Sequence, residues 1–219
     1  MAWYVFALVD AIPSRSPGKG LTGPLSIRKL AGAFVVVERR ADVPPVEFGS
    51  LKKHQEIVVR LAKQVPAILP VRFGTLLETE HLEEAVQERD TEIADAFDLV
   101  RGRVQFTWRV AGKPRREARD ARREESLPKS GAEYLRRAAR VANPAPPAAF
   151  RSLRSALGLL MEHQRYQPAT RGIPEAVYHL VEKARVSRYT AAAADLRKQS
   201  PRLAVTGPFP PFAFAPDIL

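Results

Sequence analysis

Residues 68–77 read ILPVRFGTLL, and this segment decides how the first part of the chain folds. Its apolar residues predict an extended segment that ends at Gly74, because glycine tolerates backbone conformations that a Cβ would block. Arg72 is its polar exception. A planar guanidinium there is suited to bind several carbonyls or one carboxylate, such as one from the helix predicted over 80–98. We therefore predict that Arg72, with Phe73 and Gly74, locks two elements together at the domain junction, in preference to binding an anion.

Upstream of this segment the sequence predicts two buried strands and a helix. Residues 3–10 and 33–38 are mostly apolar or β-branched, and the loop at 13–24 between them is rich in proline and glycine. Apolar residues at helical spacing follow Ser50, a suitable N-cap, and Pro66 ends the helix. The order is strand, strand, helix, strand, and we place this first domain at residues 1–77.

Downstream, a second domain is predicted over residues 78–219. One helix begins near Thr79 and is ended by Gly102. The next residues alternate strictly, so that Phe106 and Trp108 lie on the apolar face of a strand whose other face is wet or covered by polar groups.

The rest of the second domain is predicted to be mainly helical, with further strands. Residues 113–125 are almost wholly charged and predict a solvated helix or a disordered connection. The remaining predicted elements are helices from Ser130 and over 150–161, a strand at 176–181, a helix over 186–200 and a strand at 202–206. Helices and strands are interspersed without regular alternation, which predicts an α+β fold with helices on one face of a mainly antiparallel sheet.

The chain closes with GPFPPFAF at residues 207–214. After Gly207 and Pro208, further prolines stiffen the segment and remove backbone donors. Either the tail packs on its own molecule or it presents an apolar patch to a partner. The residues we predict to contact a partner are the three phenylalanines of the tail, Phe209, Phe212 and Phe214.

Charge and composition narrow the classes of function. The 219 residues carry a net charge of +11, with +1 over residues 1–111 and +10 over residues 112–219. Basic asymmetry invites a nucleic-acid hypothesis, but interleaved acidic residues favour solvated helix faces instead. The chain has no cysteine, which suits a reducing cytoplasm. The apolar run at 2–9 is too short to span a membrane and lacks the layout of a signal peptide.

No catalytic constellation is recognisable in the sequence. The four histidines lie in separate predicted elements, and none is paired at helical spacing with another. There is no phosphate-binding loop, no dinucleotide fingerprint and no nucleophile elbow. We therefore expect neither a cofactor nor a metal, and we expect that the protein is not an enzyme.

Four motifs in register resemble the GvpF/GvpL family of gas vesicle proteins. They are ILPVRFGTLL at 68–77, RGRVQF at 101–106, SGAEYLRR at 130–137 and TGPFPPFAF at 206–214. The family shows segments of the types LPxRFGT, VxGRVEF, SGREYL and LTGPWPPYSF in the same order. This chain departs from them at Ala132, in the loop at 13–24, and at Phe209 and Phe212, where the family has tryptophan and tyrosine.

The resemblance implies two α+β domains, the second a modified ferredoxin-like fold with a long helical insertion. It implies an accessory or minor structural protein of gas vesicles, located in the cytoplasm with the vesicle, that assists shell assembly. The implied partners are the major shell protein and other gas vesicle accessory proteins, with no membrane and no specific nucleic acid. The departures keep one alternative open: a divergent paralogue acting as a basic nucleic-acid-binding ferredoxin-like module, which requires exposed aromatics beside basic residues on its sheet.

Overall fold

The structure is a computed structural model that describes residues 2–111, 146–170, 173–217 and 219. It contains two compact units. Unit 1 comprises residues 1–105 and 208–219, and unit 2 comprises residues 106–207. These units are defined by contacts between residues, whereas the boundary predicted between residues 77 and 78 separates domains that fold on their own. That boundary stays a prediction.

Unit 1 is built on a five-stranded antiparallel sheet. Its strands are β1 (Ala2–Val9), β2 (Ser26–Leu30), β3 (Ala33–Arg39), β4 (Ile68–Pro70) and β5 (Leu76–Glu78). The order is β2-β3-β1-β4, and β5 also pairs with β1, beyond the end of β4. β1 is therefore central, which explains why its residues are apolar on both faces.

Three helices complete unit 1: α1 (Phe48–Ala62), α2 (Thr79–Glu88) and α3 (Asp90–Val100). α1 buries His54, Ile57, Val58 and Leu61, which recur at helical spacing and contribute to the core. The helix begins at Phe48, so the predicted N-cap at Ser50 is wrong. The single helix predicted from Thr79 is also wrong, because the chain leaves helical geometry at Arg89 and starts α3 at Asp90.

The second sheet has four strands in the order β7-β8-β6-β9, and most of its residues belong to unit 2. Its strands and the accompanying helices are β6 (Arg103–Val110), α4 (Arg151–Leu157), β7 (His163–Gln167), β8 (Ala176–Glu182), α5 (Val186–Gln199) and β9 (Leu203–Phe209). The core between this sheet and its helices includes Trp108, Tyr189, Leu153 and Leu157, all fully buried.

The α+β class and the antiparallel sheets confirm that part of the predicted fold. The sequence did not predict β2, β5 or β7. SIRKL and HQRYQ are polar segments without clear alternation, and β5 has only three residues. The helix predicted over 150–161 is shorter, with 3₁₀ turns on both sides of α4. The predictions for 113–125 and for the helix at Ser130 lie outside the described residues. The ferredoxin-like classification depends on the connection between β6 and β7. Residues 112–145 of that connection lie outside the described ranges, so the classification stays a prediction.

Among the helices of the described ranges, none is long and apolar enough to cross a membrane.

Candidate functional site

Tyr4 of β1 and His54 of α1 form a buried hydrogen-bonded pair in the core of unit 1. The Tyr4 hydroxyl lies 2.9 Å from Nδ1 of His54, and Nε2 of His54 lies 3.3 Å from the carbonyl oxygen of Val71. Because a carbonyl only accepts hydrogen bonds, Nε2 carries the proton and Nδ1 accepts the tyrosine O–H. Burial lowers the pKa of His54 to about 4, although the hydrogen bond to Val71 acts in the opposite direction. The imidazole is therefore neutral at pH 7.

This pair holds both ends of the turn at residues 71–74. His54 donates to the carbonyl at the start of the turn, and the N–H of Gly74 donates to the Tyr4 hydroxyl oxygen over 3.2 Å. Between them, the Phe73 ring meets the rings of both Tyr4 and His54 edge-on, with centroid distances of 6.2 and 5.6 Å. Gly74 has a φ of 95°, a left-handed value that strains any residue with a Cβ. The ILPVRFGTLL motif is therefore shaped by contacts to Tyr4 and His54.

Arg72, at the centre of the motif, binds the C-terminal tail. Its Nη2 lies 3.1 Å from Oδ2 of Asp217, and the two side chains are 77% and 59% exposed. Arg89 donates to the backbone carbonyl of Asp217 over 3.2 Å. The carboxylate expected from the 80–98 segment is thus the wrong partner. Both Arg72 and Asp217 belong to unit 1, so the predicted role at a domain junction stays a prediction.

A buried carboxylate organises the proline- and glycine-rich loop of unit 1. Glu38 of β3 is 1% exposed and accepts hydrogen bonds from the N–H groups of Leu21, Thr22 and Gly23, at 2.6 to 2.8 Å. The Thr22 hydroxyl donates to it as well. Burial alone raises the pKa of Glu38, but these four hydrogen bonds outweigh burial and lower it below its ordinary value. A charged Glu38 therefore holds the loop against β3.

Unit 2 repeats the tyrosine–histidine arrangement with different residues. The indole N–H of Trp108 donates to the Tyr189 hydroxyl over 2.7 Å, and that hydroxyl lies 2.7 Å from Nδ1 of His179. Nε2 of His179 lies 3.2 Å from the side-chain oxygen of Gln164, so Nε2 carries the proton and Tyr189 donates to Nδ1. Burial lowers the pKa of His179 to about 4 and raises that of Tyr189. Phe106 packs on Tyr189, with ring centroids 4.5 Å apart.

Both histidines are buried, and their hydrogen bonds join neighbouring segments of the same chain. Within the ranges that the structure describes, no group of three or more histidine and acidic side chains is arranged to hold a metal ion. Burial is the main cause of the lowered pKa of both histidines.

The C-terminal motif is partly a strand and partly a packed turn. Gly207, Pro208 and Phe209 complete β9, where the sequence predicted only a stiff tail. The N–H of Ala213 donates to the Gln105 side-chain oxygen over 2.7 Å, which fixes the turn in unit 1. The three phenylalanines differ in exposure: Phe209 is half-buried, Phe212 is 36% exposed and Phe214 is 8% exposed.

Gly102 and the strand that follows it contact other parts of the fold. Gly102 has a φ of 68° directly after α3, and its N–H donates to the carbonyl of Pro66 over 3.0 Å. Phe106 and Trp108 are both buried on one face of β6, as the alternation predicts. The opposite face is covered too, since Gln105 and Thr107 are each only 4% exposed.

The sequence also left two groups of residues unassigned that the structure makes prominent. Tyr4, His54 and Glu38 were not predicted as polar anchors, although His54 is in phase with the buried apolar stripe of α1. The second group is an exposed apolar cluster between β3 and the first turn of α1. It comprises Val43, Val46, Phe48 and Leu51, which we call the α1 patch.

Together these features define an α+β protein whose motifs serve buried polar networks and a docked C-terminal turn. The family model for gas vesicle synthesis protein GvpL/GvpF matches residues 2–216, and the chain belongs to this family. No curated protein matches the chain in sequence.

Two crystal structures of gas vesicle protein GvpF share the fold. The one from Microcystis aeruginosa is 16% identical, has a TM-score of 0.72, and the match covers 98% of this chain and 99% of that one. The one from Anabaena sp. PCC7120 is 15% identical, has a TM-score of 0.70, and the match covers 98% and 96%. The likeness therefore extends over both units.

Proposed function

We propose that the protein is an accessory or minor structural protein that assists assembly of the gas-filled shell in the cytoplasm. The observation that carries this proposal is the match to the gas vesicle family over nearly the whole chain. Both units, and not one borrowed domain, have counterparts in gas vesicle proteins. We further propose that the protein is not an enzyme, and that unit 2 is a modified ferredoxin-like domain.

The finer proposal is that the protein binds the major shell protein through apolar surface near its C terminus. Phe212 supports this role, because it is the exposed phenylalanine of a turn that is otherwise anchored by buried Pro210, Pro211 and Phe214. An aromatic side chain held on a rigid turn loses little conformational freedom on binding. Phe209 contributes at the edge of this contact.

The nucleic-acid alternative receives no support from the aromatic residues on which it depends. Phe106 and Trp108 are buried on the side of the sheet that packs against Tyr189. Bases stack only on aromatic faces that solvent can reach.

A capture assay tests the shell contact. We expect immobilised protein to retain the major shell protein at about 200 mM salt, because apolar contacts are screened little by ions. Phe212→Ser is expected to weaken capture by about tenfold, the range of one lost aromatic contact. Ile173→Ser, which removes an exposed apolar side chain from unit 2, is the matched control.

Two results separate the parts of the proposal. If wild-type protein captures no shell protein, the shell contact is refuted. If Phe212→Ser and Ile173→Ser both capture as well as wild type, the contact exists elsewhere and the role of the C-terminal turn is refuted.

A further inference from the structure

The outward side of α1 is unusual for a surface helix. Its buried side packs on the sheet through His54, Ile57, Val58 and Leu61. At its N-terminal end the α1 patch exposes apolar side chains, and Phe48 and Val46 are each 81% exposed. Several exposed apolar side chains grouped within residues 43–51 indicate a protein or membrane contact, whereas single ones carry no such meaning.

A shallow surface groove lies farther along the outward side of α1. Its volume is about 390 Å³, and the described residues that line it are Lys52, Gln55, Glu56, Val59, Arg60 and Lys63. These positions recur every three or four residues, so the groove follows the helix axis for about 17 Å, or three turns. Val59 and the methylene stems of the long side chains give it an apolar floor.

The charge of the groove is positive. Among the described lining residues, Lys52, Arg60 and Lys63 oppose one carboxylate, Glu56, which lies 3.8 Å from Nζ of Lys52 in an exposed pair. Arg60 is held in place by hydrogen bonds from Nη2 to the carbonyls of Pro17 and Lys19. Within the described parts of the chain, Lys63 forms no ion pair.

We propose that this groove and the α1 patch bind an amphipathic helix of a partner protein that has acidic flanks. A helix laid along α1 packs its side-chain ridges between those of α1, and its apolar stripe covers Val46, Phe48 and Leu51. Carboxylates beside that stripe meet Lys52 and Lys63. This proposal does not depend on the shell contact of the C-terminal turn.

Charge disfavours a second copy as the occupant. A second copy binding through the same face brings Lys52 and Lys63 of both chains together, which is repulsive. An anionic bilayer matches the charge, and the vesicle measurement below distinguishes it from a helix.

A synthetic peptide pair tests the proposal. One fluorescent peptide of about 18 residues places leucine on one helical face and glutamate elsewhere, and its twin has lysine in place of glutamate. We expect wild-type protein to bind the acidic peptide at least about tenfold more tightly than the basic one in fluorescence anisotropy.

Point variants locate the binding. Phe48→Ser and Lys63→Glu are each expected to weaken binding of the acidic peptide about fivefold or more. The matched controls are Ile173→Ser and Lys183→Glu, exposed residues of the same kinds in unit 2, and both are expected to bind within about twofold of wild type.

Any of four outcomes overturns the proposal. The first is that the acidic peptide fails to bind. The second is that Lys183→Glu weakens binding as much as Lys63→Glu does, because this result indicates unspecific charge attraction. The third is that the protein alone self-associates in sedimentation experiments and that Phe48→Ser abolishes this, because a second copy is then the occupant. The fourth is that vesicles containing phosphatidylglycerol bind the protein in a Phe48-dependent manner, because a lipid surface is then the occupant.

Discussion

Replacing Tyr4 by phenylalanine tests how the turn at 71–74 is held without changing the shape of the core. The hydroxyl donates to Nδ1 of His54 and accepts the N–H of Gly74. His54 is buried, whereas the Gly74 amide is half-buried. A buried polar group left unsatisfied costs about 1–3 kcal/mol and the half-buried amide costs less, so we expect Tyr4→Phe to lower the free energy of unfolding by about 2–3 kcal/mol.

Urea denaturation measures this change, and hydrogen exchange places it in the structure. We expect faster exchange of the Gly74 amide, because it loses its acceptor. Tyr178→Phe is the matched control, since its half-buried hydroxyl donates to the side chain of Gln167 and the loss of this hydrogen bond costs about 1 kcal/mol. If Tyr4→Phe destabilises the protein no more than Tyr178→Phe does, the hydroxyl does not hold the turn and the reasoning is refuted.

Three further predictions follow from the same contacts. Trp108→Ala is expected to cost about 3–5 kcal/mol in unfolding free energy, because it removes a fully buried ring and the donor to the unit 2 network; a loss below about 1 kcal/mol contradicts this. Because burial lowers the pKa of His54 and of His179 to about 4, the unfolded chain binds more protons than the folded one as pH falls from about 6.5 to about 4. Stability is therefore full above pH 6.5 and decreases through that window by up to about 3 kcal/mol per histidine, and a flat profile between pH 6.5 and 5 in urea titrations refutes it. Arg72→Ala is expected to cost less than about 1 kcal/mol, and Arg72→Lys to restore the loss, because the pair with the tail is exposed; a larger loss that lysine does not restore points to a buried contact.

The Arg72 prediction shows where sequence reasoning reached its limit. The ILPVRFGTLL motif was recognisable, and its glycine has the positive φ that its position suggested. The partner of Arg72 was not, because Asp217 lies far along the chain and no local pattern links the two residues. Because the pair of Arg72 and Asp217 is exposed and has one short contact, arginine at this position contributes less to stability than the motif suggests.

Periodic elements were predictable and tertiary polar contacts were not. The alternation in β6 correctly placed Phe106 and Trp108 inside, and the apolar runs gave β1 and β3. The break at Arg89 was missed: the first residue of α3, Asp90, accepts the N–H of Gly32 in the β2–β3 turn, a contact without a local signature.

The candidate site followed the same rule. An isolated tyrosine, histidine or glutamate has no spacing that reveals its partner, so the anchors Tyr4, His54 and Glu38 emerged only once the chain was folded. The phenylalanines of the C-terminal turn were identified as a group, but only the fold distinguishes the exposed Phe212 from the buried Phe214.

Vesicle formation tests the central claim most directly. In cells that encode this protein within a functional set of gas vesicle genes, deleting its gene is expected to abolish gas vesicles. The measurement is the part of the light scattering that disappears when pressure collapses the vesicles. Supplying the wild-type gene is expected to restore it. Normal, pressure-collapsible vesicles in the deletion strain contradict the proposed role in shell assembly.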